Sequence, residues 1–234
     1  MLKRIVLLII LIITFLIGIN FKDNKLYYIS LGDGLSKGIN YNGYEGKGYS
    51  DFIASDLEKT KKIKFYTKEF SNEDDRITDL INKIEENIEI EVDNKEITIQ
   101  SAISKADIIT LSIGFNEIMY KYKNNTNTSY MYNYIDSYIK DMEKLIIMLR
   151  KYNNKKIYVL GYYNSSNNND INKYIIYAND KLIKICTDKN AYYVNLYDIF
   201  KNNKKLIYNI NTSFPNEEGY KLIANEILKS IKNM

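Results

Sequence analysis

The chain has 234 residues, one cysteine, no histidine and a formal net charge of +4. Hydrophobic residues make up 45% and charged residues 26%, which supports a packed core and argues against global disorder; so small a positive charge gives no case for nucleic acid. Without an imidazole, Ser-His-Asp and Cys-His catalysis in their usual form and histidine-ligated zinc are excluded, and the single Cys186 excludes an internal disulfide and a cysteine-cluster metal site.

At the amino end, Lys3 and Arg4 precede an apolar run from Ile5 to Ile19, broken only by Thr14 and Gly18. The run is long for the core of a signal peptide and close to a membrane span. No small-x-small cleavage site follows it, and no cysteine that could carry a lipid. We read residues 1–21 as an uncleaved signal anchor. The two basic residues stay in the cytoplasm, and one domain, 22–234, lies outside the cell membrane; a cleaved signal is the alternative.

From Leu26 onward strand and helix patterns alternate. Leu26–Leu31 is a short apolar strand that runs into a glycine-rich loop. Tyr49–Leu57 has helical spacing, Ile63–Phe70 reads as a strand, and Ile77–Ile88 is amphipathic at i, i+3, i+4 and i+7. Ile88–Ile99 alternates strictly about Asp93-Asn94 and predicts a hairpin. Asp107–Ile113 is a β-branched run suited to a strand buried on both faces. Met131–Tyr152 is the longest predicted helix. Lys156–Leu160, Ile171–Cys186 and Tyr192–Leu196 continue as strand, helix and strand. Asn216–Ile231 closes the chain as a helix, with Pro215, Glu217 and Glu218 supplying helix-start chemistry. Cys186 falls inside a helix, as a small buried hydrophobe. The pattern predicts a three-layer α/β/α domain around a central parallel sheet of about five strands.

Ligands of open α/β sheets bind beyond the carboxyl ends of the strands. There the loops carry unusual residues. Gly32-Asp33-Gly34-Leu35-Ser36-Lys37-Gly38 resembles the first block of the SGNH/GDSL hydrolases, the lipase/acylhydrolase-like family. Ile113-Gly114-Phe115-Asn116-Glu117 resembles its third block. Asn211-Thr212-Ser213-Phe214-Pro215-Asn216-Glu217-Glu218-Gly219-Tyr220 resembles its last, and Arg76-Ile77-Thr78-Asp79-Leu80 resembles the segment after its second-block glycine. The blocks keep their order over residues 26–231, which implies the family's flavodoxin-like fold.

Carried over position by position, the resemblance implies that the chemistry is missing. Gly34 stands where the family has its nucleophilic serine, Phe214 where it has the histidine base, and Asn211 where it has the aspartate that orients the base. Asp74 aligns with the glycine whose N–H binds the oxyanion, and an anionic side chain there would repel a developing oxyanion. The oxyanion remnants are Asn116 and the Gly34 N–H. Ser36, with Lys37 as its base, is the alternative nucleophile, but a serine hydroxyl without a poised base is inert.

Phe214 either fills the cleft or presents an aromatic platform. Tyr41 and Tyr44, with Tyr49, Tyr162 and Tyr163, lie in segments flanking the expected cleft, where aromatic rings can stack on sugars or acyl chains. The acidic residues Glu85, Glu86, Glu89, Glu91 and Asp93 read as a solvated face, and Glu73-Asp74-Asp75 as acids at a helix start. No cofactor, metal or nucleic acid is implied. The expected function is a membrane-anchored, non-catalytic binding or accessory module at the cell envelope, with a glycan or acyl ligand. An ester hydrolase with a displaced nucleophile and a structural partner protein are the alternatives. Oligomeric state is not legible.

Overall fold

The computed structural model describes residues 25–124, 128–164, 169–207 and 214–232; the expected anchor over 1–21 lies outside them. Among the described residues, no helix is long and apolar enough to cross a membrane.

Five parallel strands form the central sheet: β1 (Leu26–Gly32), β2 (Ile63–Thr67), β5 (Ile108–Ser112), β6 (Lys156–Leu160) and β7 (Tyr192–Val194), in the order β2-β1-β5-β6-β7. The inner strands are buried on both faces, and successive residues serve opposite layers. Ile29, Leu31, Ile109, Leu111, Ile157 and Val159 join one core, while Tyr28, Ile108, Tyr158 and Leu160 join the other.

Helices α3 (Ile77–Glu85), α4 (Ile99–Lys105), α6 (Thr128–Tyr152) and α7 (Asn172–Asp188) close the first core. Helices α2 (Tyr49–Lys59), α8 (Leu196–Lys201) and α9 (Glu217–Lys232) close the second. Cys186 is buried within α7, as its sequence context predicts. A short α1 (Gly34–Lys37) follows β1, and α5 (Phe115–Asn124) follows β5.

The hairpin falls at β3 (Glu89–Val92) and β4 (Lys95–Thr98), which pair antiparallel as a separate two-stranded sheet. Asp93 and Asn94 both take positive φ, at 51° and 59°, the geometry a tight two-residue hairpin turn requires. At α3 the expectation and the structure differ. Glu73-Asp74-Asp75 do not start the helix. Arg76 is its N-cap, and Asp79 reaches back to accept the Arg76 N–H at 2.9 Å. Asp75 is buried and ion-paired with Lys83.

Candidate functional site

The strand β1 ends against β5, and that contact shapes the site. Gly32 has φ of 137°, and a Cβ there would overlap the Ser112 carbonyl oxygen, so only glycine fits. Asp33 then donates its N–H to the same carbonyl at 2.9 Å, and its carboxylate caps α1 by accepting the Leu35 N–H at 3.1 Å. The turn delivers residue 34 to the top of the sheet, where a nucleophile would stand.

Gly34 has no side chain there, and Phe214 occupies the space. A Cβ on Gly34 would lie 2.5 Å from Phe214 Cζ and 2.9 Å from Cε1, closer than van der Waals contact allows. The glycine and the ring are therefore complementary: the position that would carry a hydroxyl is filled by the residue that would be its base. Directly beside them is the Glu73 carbonyl, 3.3 Å from the same Cβ position. It accepts the Gly34 N–H at 3.1 Å and the Asn116 side-chain amide at 3.3 Å. Both expected oxyanion donors thus converge on one acceptor, which belongs to the chain itself. The backbone group at this spot is that of Glu73, one residue before the expected Asp74, whose side chain is exposed. A neutral carbonyl oxygen saturates the two donors, so an incoming oxyanion would have to displace it.

Ser36 does not line the cleft cavity. It is fully buried, donates its hydroxyl to the Leu31 carbonyl at 2.7 Å and lies 3.1 Å from the Tyr49 hydroxyl. Tyr49 in turn reaches Ser30 at 3.1 Å and Thr110 at 3.3 Å, so Ser36 belongs to a hydroxyl network beneath α1 rather than to a surface cleft. Lys37 turns the other way, into ion pairs with Glu69 at 2.6 Å and Glu45 at 3.8 Å.

Two carboxyls near the site are held away from water. Burial pushes Asp33 up to about 8, against the pull of the Leu35 N–H. Burial likewise pushes Glu117 up to about 7, opposed by a hydrogen bond from the Ile77 backbone, and its Oε2 is buried without a partner.

The cavity left at the cleft is about 10 Å³, lined by Asp33, Asn116, Tyr162, Tyr163 and Phe214 among others; that is room for about one water. Tyr162 and Tyr163 are buried walls rather than exposed platforms, and Tyr163 stacks on Phe115 with centroids 5.1 Å apart. Tyr41 and Tyr44 are exposed on the loop after α1 and do not line this cavity. Asn211 lies outside the described residues. Among the described residues, no group of three or more acidic or cysteine side chains could hold a metal. Sequence reasoning missed the Glu73 carbonyl, because a main-chain oxygen carries no residue signature. It also missed α5, which carries Asn116 and Glu117; the signal that could have found it is Phe115, Ile118, Met119 and Tyr122, spaced i, i+3, i+4 and i+7 and packed on the first core.

A doubly wound parallel sheet with a first-strand turn, an amide at the end of β5 and a last-helix block defines the SGNH hydrolase fold. The family model for GDSL-like lipase/acylhydrolases matches residues 28–227, and the chain belongs to that family. Its fold is shared with a lipase from goat rumen metagenome, at TM-score 0.74 and 16% identity, covering 88% of this chain and 97% of that one. An acetylxylan esterase of Geobacillus stearothermophilus superposes at TM-score 0.65 and 17% identity, covering 90% and 96% of the two chains. Another acetyl xylan esterase does so at TM-score 0.63 and 19% identity, over 87% and 98%. No curated protein matches the sequence.

Proposed function

We propose that this chain is a non-catalytic member of the GDSL family, tethered to the cell membrane through residues 1–21. Its domain stands outside the cell and serves as a binding or accessory module of the cell envelope. The observation that carries this reading is the interlock of Gly34, Phe214 and the Glu73 carbonyl. A site that had merely lost its serine would leave a vacancy. Here the base position fills the nucleophile position, and a backbone oxygen takes up the oxyanion donors. Removing a whole triad costs roughly a million-fold in rate in the subtilisin example, and the residual there depends on an open oxyanion hole. Ester turnover is therefore expected at background. The neighbours named as lipase and acetylxylan esterases point to acyl and glycan chemistry, so a glycan or acyl-sugar ligand is the natural class. With Phe214 committed to packing, Tyr41 and Tyr44 are among the exposed rings that could meet it.

The test is an esterase panel, acetyl to long-chain, on the full chain beside a Gly34→Ser/Asn211→Asp/Phe214→His variant. No turnover in the native chain and recovered turnover in the variant is the expected pair of results. Turnover in the native chain that a serine-directed inhibitor blocks would overturn the proposal. The displaced-nucleophile alternative meets a specific obstacle at Ser36, which is buried and bonded.

A further inference from the structure

The two ends of the sheet carry lysines in opposite circumstances. At the carboxyl ends of the strands they are neutralised: Lys68 pairs with Asp51 at 2.9 Å, Lys37 with Glu69, and Lys83 with Asp75. At the amino ends they are not. Lys25 precedes β1, Lys61 and Lys62 precede β2, Lys105 stands before β5, and Lys155 and Lys156 open β6.

The strand register sets these side by side. Leu26 pairs with Ile63, Tyr28 with Ile108, and Ile108 with Lys156, so the parallel strands begin at one level and the lysines form a row along one edge. Five of the six are exposed and Lys156 is half-buried, and none of the six has an ion pair among the described residues. The acids around this edge are Glu58, Asp107 and Asp188, with Glu89, Asp93 and Glu96 of the hairpin lining a groove beside Lys105, and none of them is ion-paired with the six lysines. Asp107 is engaged in accepting the Tyr27 N–H at 3.0 Å.

The edge is also rigid. Arg150 donates to the carbonyls of Asn153, Lys155, Lys189 and Asn190, which clamps two of the connecting loops together. Asn153, buried behind it, donates to Ile103 at 2.5 Å and Ala106 at 2.7 Å, which holds a third. The cations are therefore displayed on a fixed face. The second observation is covalent. The chain enters the domain on this same edge, at Lys25, six positions in sequence after the apolar segment Ile5–Ile19 ends.

From this row of unpaired cations at the point of tethering, we infer that the basal edge of the sheet is a docking surface for an anionic phospholipid bilayer. The inference rests on the tether in the preceding section but not on the loss of hydrolysis. Phosphate headgroups supply direct partners to lysines that no carboxylate among the described residues pairs with. Each lysine held near such a surface is worth about fivefold in occupancy, an advantage that vanishes beyond a Debye length. The domain then stands base-down, with the closed cleft and the Tyr41/Tyr44 loop turned outward by the length of the strands, roughly 20 Å.

The full chain would be reconstituted into vesicles of phosphatidylcholine alone, or of phosphatidylcholine and phosphatidylglycerol in equal parts. It would then be labelled with a membrane-impermeant amine reagent and read by mass spectrometry. Labelling of Lys61, Lys62, Lys105 and Lys155 should fall about fivefold in the anionic vesicles. It should recover in about 1 M salt, where the Debye length is near 3 Å. Lys221, at the start of α9, should label equally in both. In a Lys61→Glu/Lys62→Glu/Lys155→Glu variant, checked for an unchanged melting curve, the protection of Lys105 should disappear. Equal labelling of the basal lysines in the two vesicle types, with flotation in both, overturns the docking surface and leaves the tether standing. Flotation with the anionic vesicles only overturns the tether and keeps the surface; flotation with neither overturns both. Protection that appears on neutral vesicles only when a soluble polyphosphate is added assigns the row to a free polyanion and overturns the bilayer reading.

Discussion

The roof of the cleft and the bed beneath it lie within a few residues of each other, yet they have been treated differently. The bed is a satisfied hydroxyl network, in which Tyr49 joins Ser30, Ser36 and Thr110, and Tyr28 joins Thr110 at 3.0 Å. The roof has no hydroxyl where one would act; a ring and a carbonyl close it instead. Buried polar groups are costly to leave half-paired, so the bed can change only as a unit. The roof faces the cleft, where a reactive group can be exchanged for an apolar one if the volumes match. On the proposed reading, the scaffold of a hydrolase persists with packing in place of its reacting groups.

The contrast is sharpest at two glycines. Gly32 serves the scaffold, since any Cβ there would collide with main chain. Gly32→Ala should destabilise the domain by about 4 kcal/mol or more, or abolish folding, as read by urea unfolding. Gly34 serves the filled roof, since its nearest obstacle is a side chain. Gly34→Ser should cost about 1–3 kcal/mol by overpacking against Phe214. In a double-mutant cycle with Phe214→Ala, the two changes should couple by about 1 kcal/mol or more. Additive costs would break the interlock. In the bed, Tyr49→Phe should cost about 1–3 kcal/mol by stranding buried hydroxyl partners, a fall of several degrees in Tm.

A dependence on pH distinguishes the two regions as well. The unfolded Asp33 carboxyl titrates near 3.9, and burial raises it to about 8 in the fold. The folded state then binds the extra proton, so stability declines as pH rises from about 4 towards 8. Asp33→Asn keeps an N-cap and should flatten that decline in Tm across the same window; an unchanged slope would show that Asp33 does not carry it. Least of all should matter Tyr44, 72% exposed on its loop. Tyr44→Ser should shift stability by no more than about 0.5 kcal/mol, leaving any effect on glycan binding to be read cleanly.

Much of this was legible in sequence. Strand and helix periodicity located β1, β5, β6 and the hairpin closely, because buried parallel strands need continuous apolar runs and a tight turn needs residues that tolerate positive φ. The motif positions of Gly34, Asn116 and Phe214 followed from block order, since those blocks encode the turns that end the strands. Shorter elements escaped: α4 and α5 are only 7 and 10 residues long, too short to be stable without tertiary packing although their buried residues keep helical spacing. The sequence by itself determined that no imidazole was available and that glycine, phenylalanine and asparagine stand at motif positions 34, 214 and 211. Only the tertiary structure decided what stands there now. A ring's reach from residue 214 to residue 34, and a carbonyl's meeting with two donors from β1 and β5, are distances across the fold, and neither is written in residue identity or local spacing.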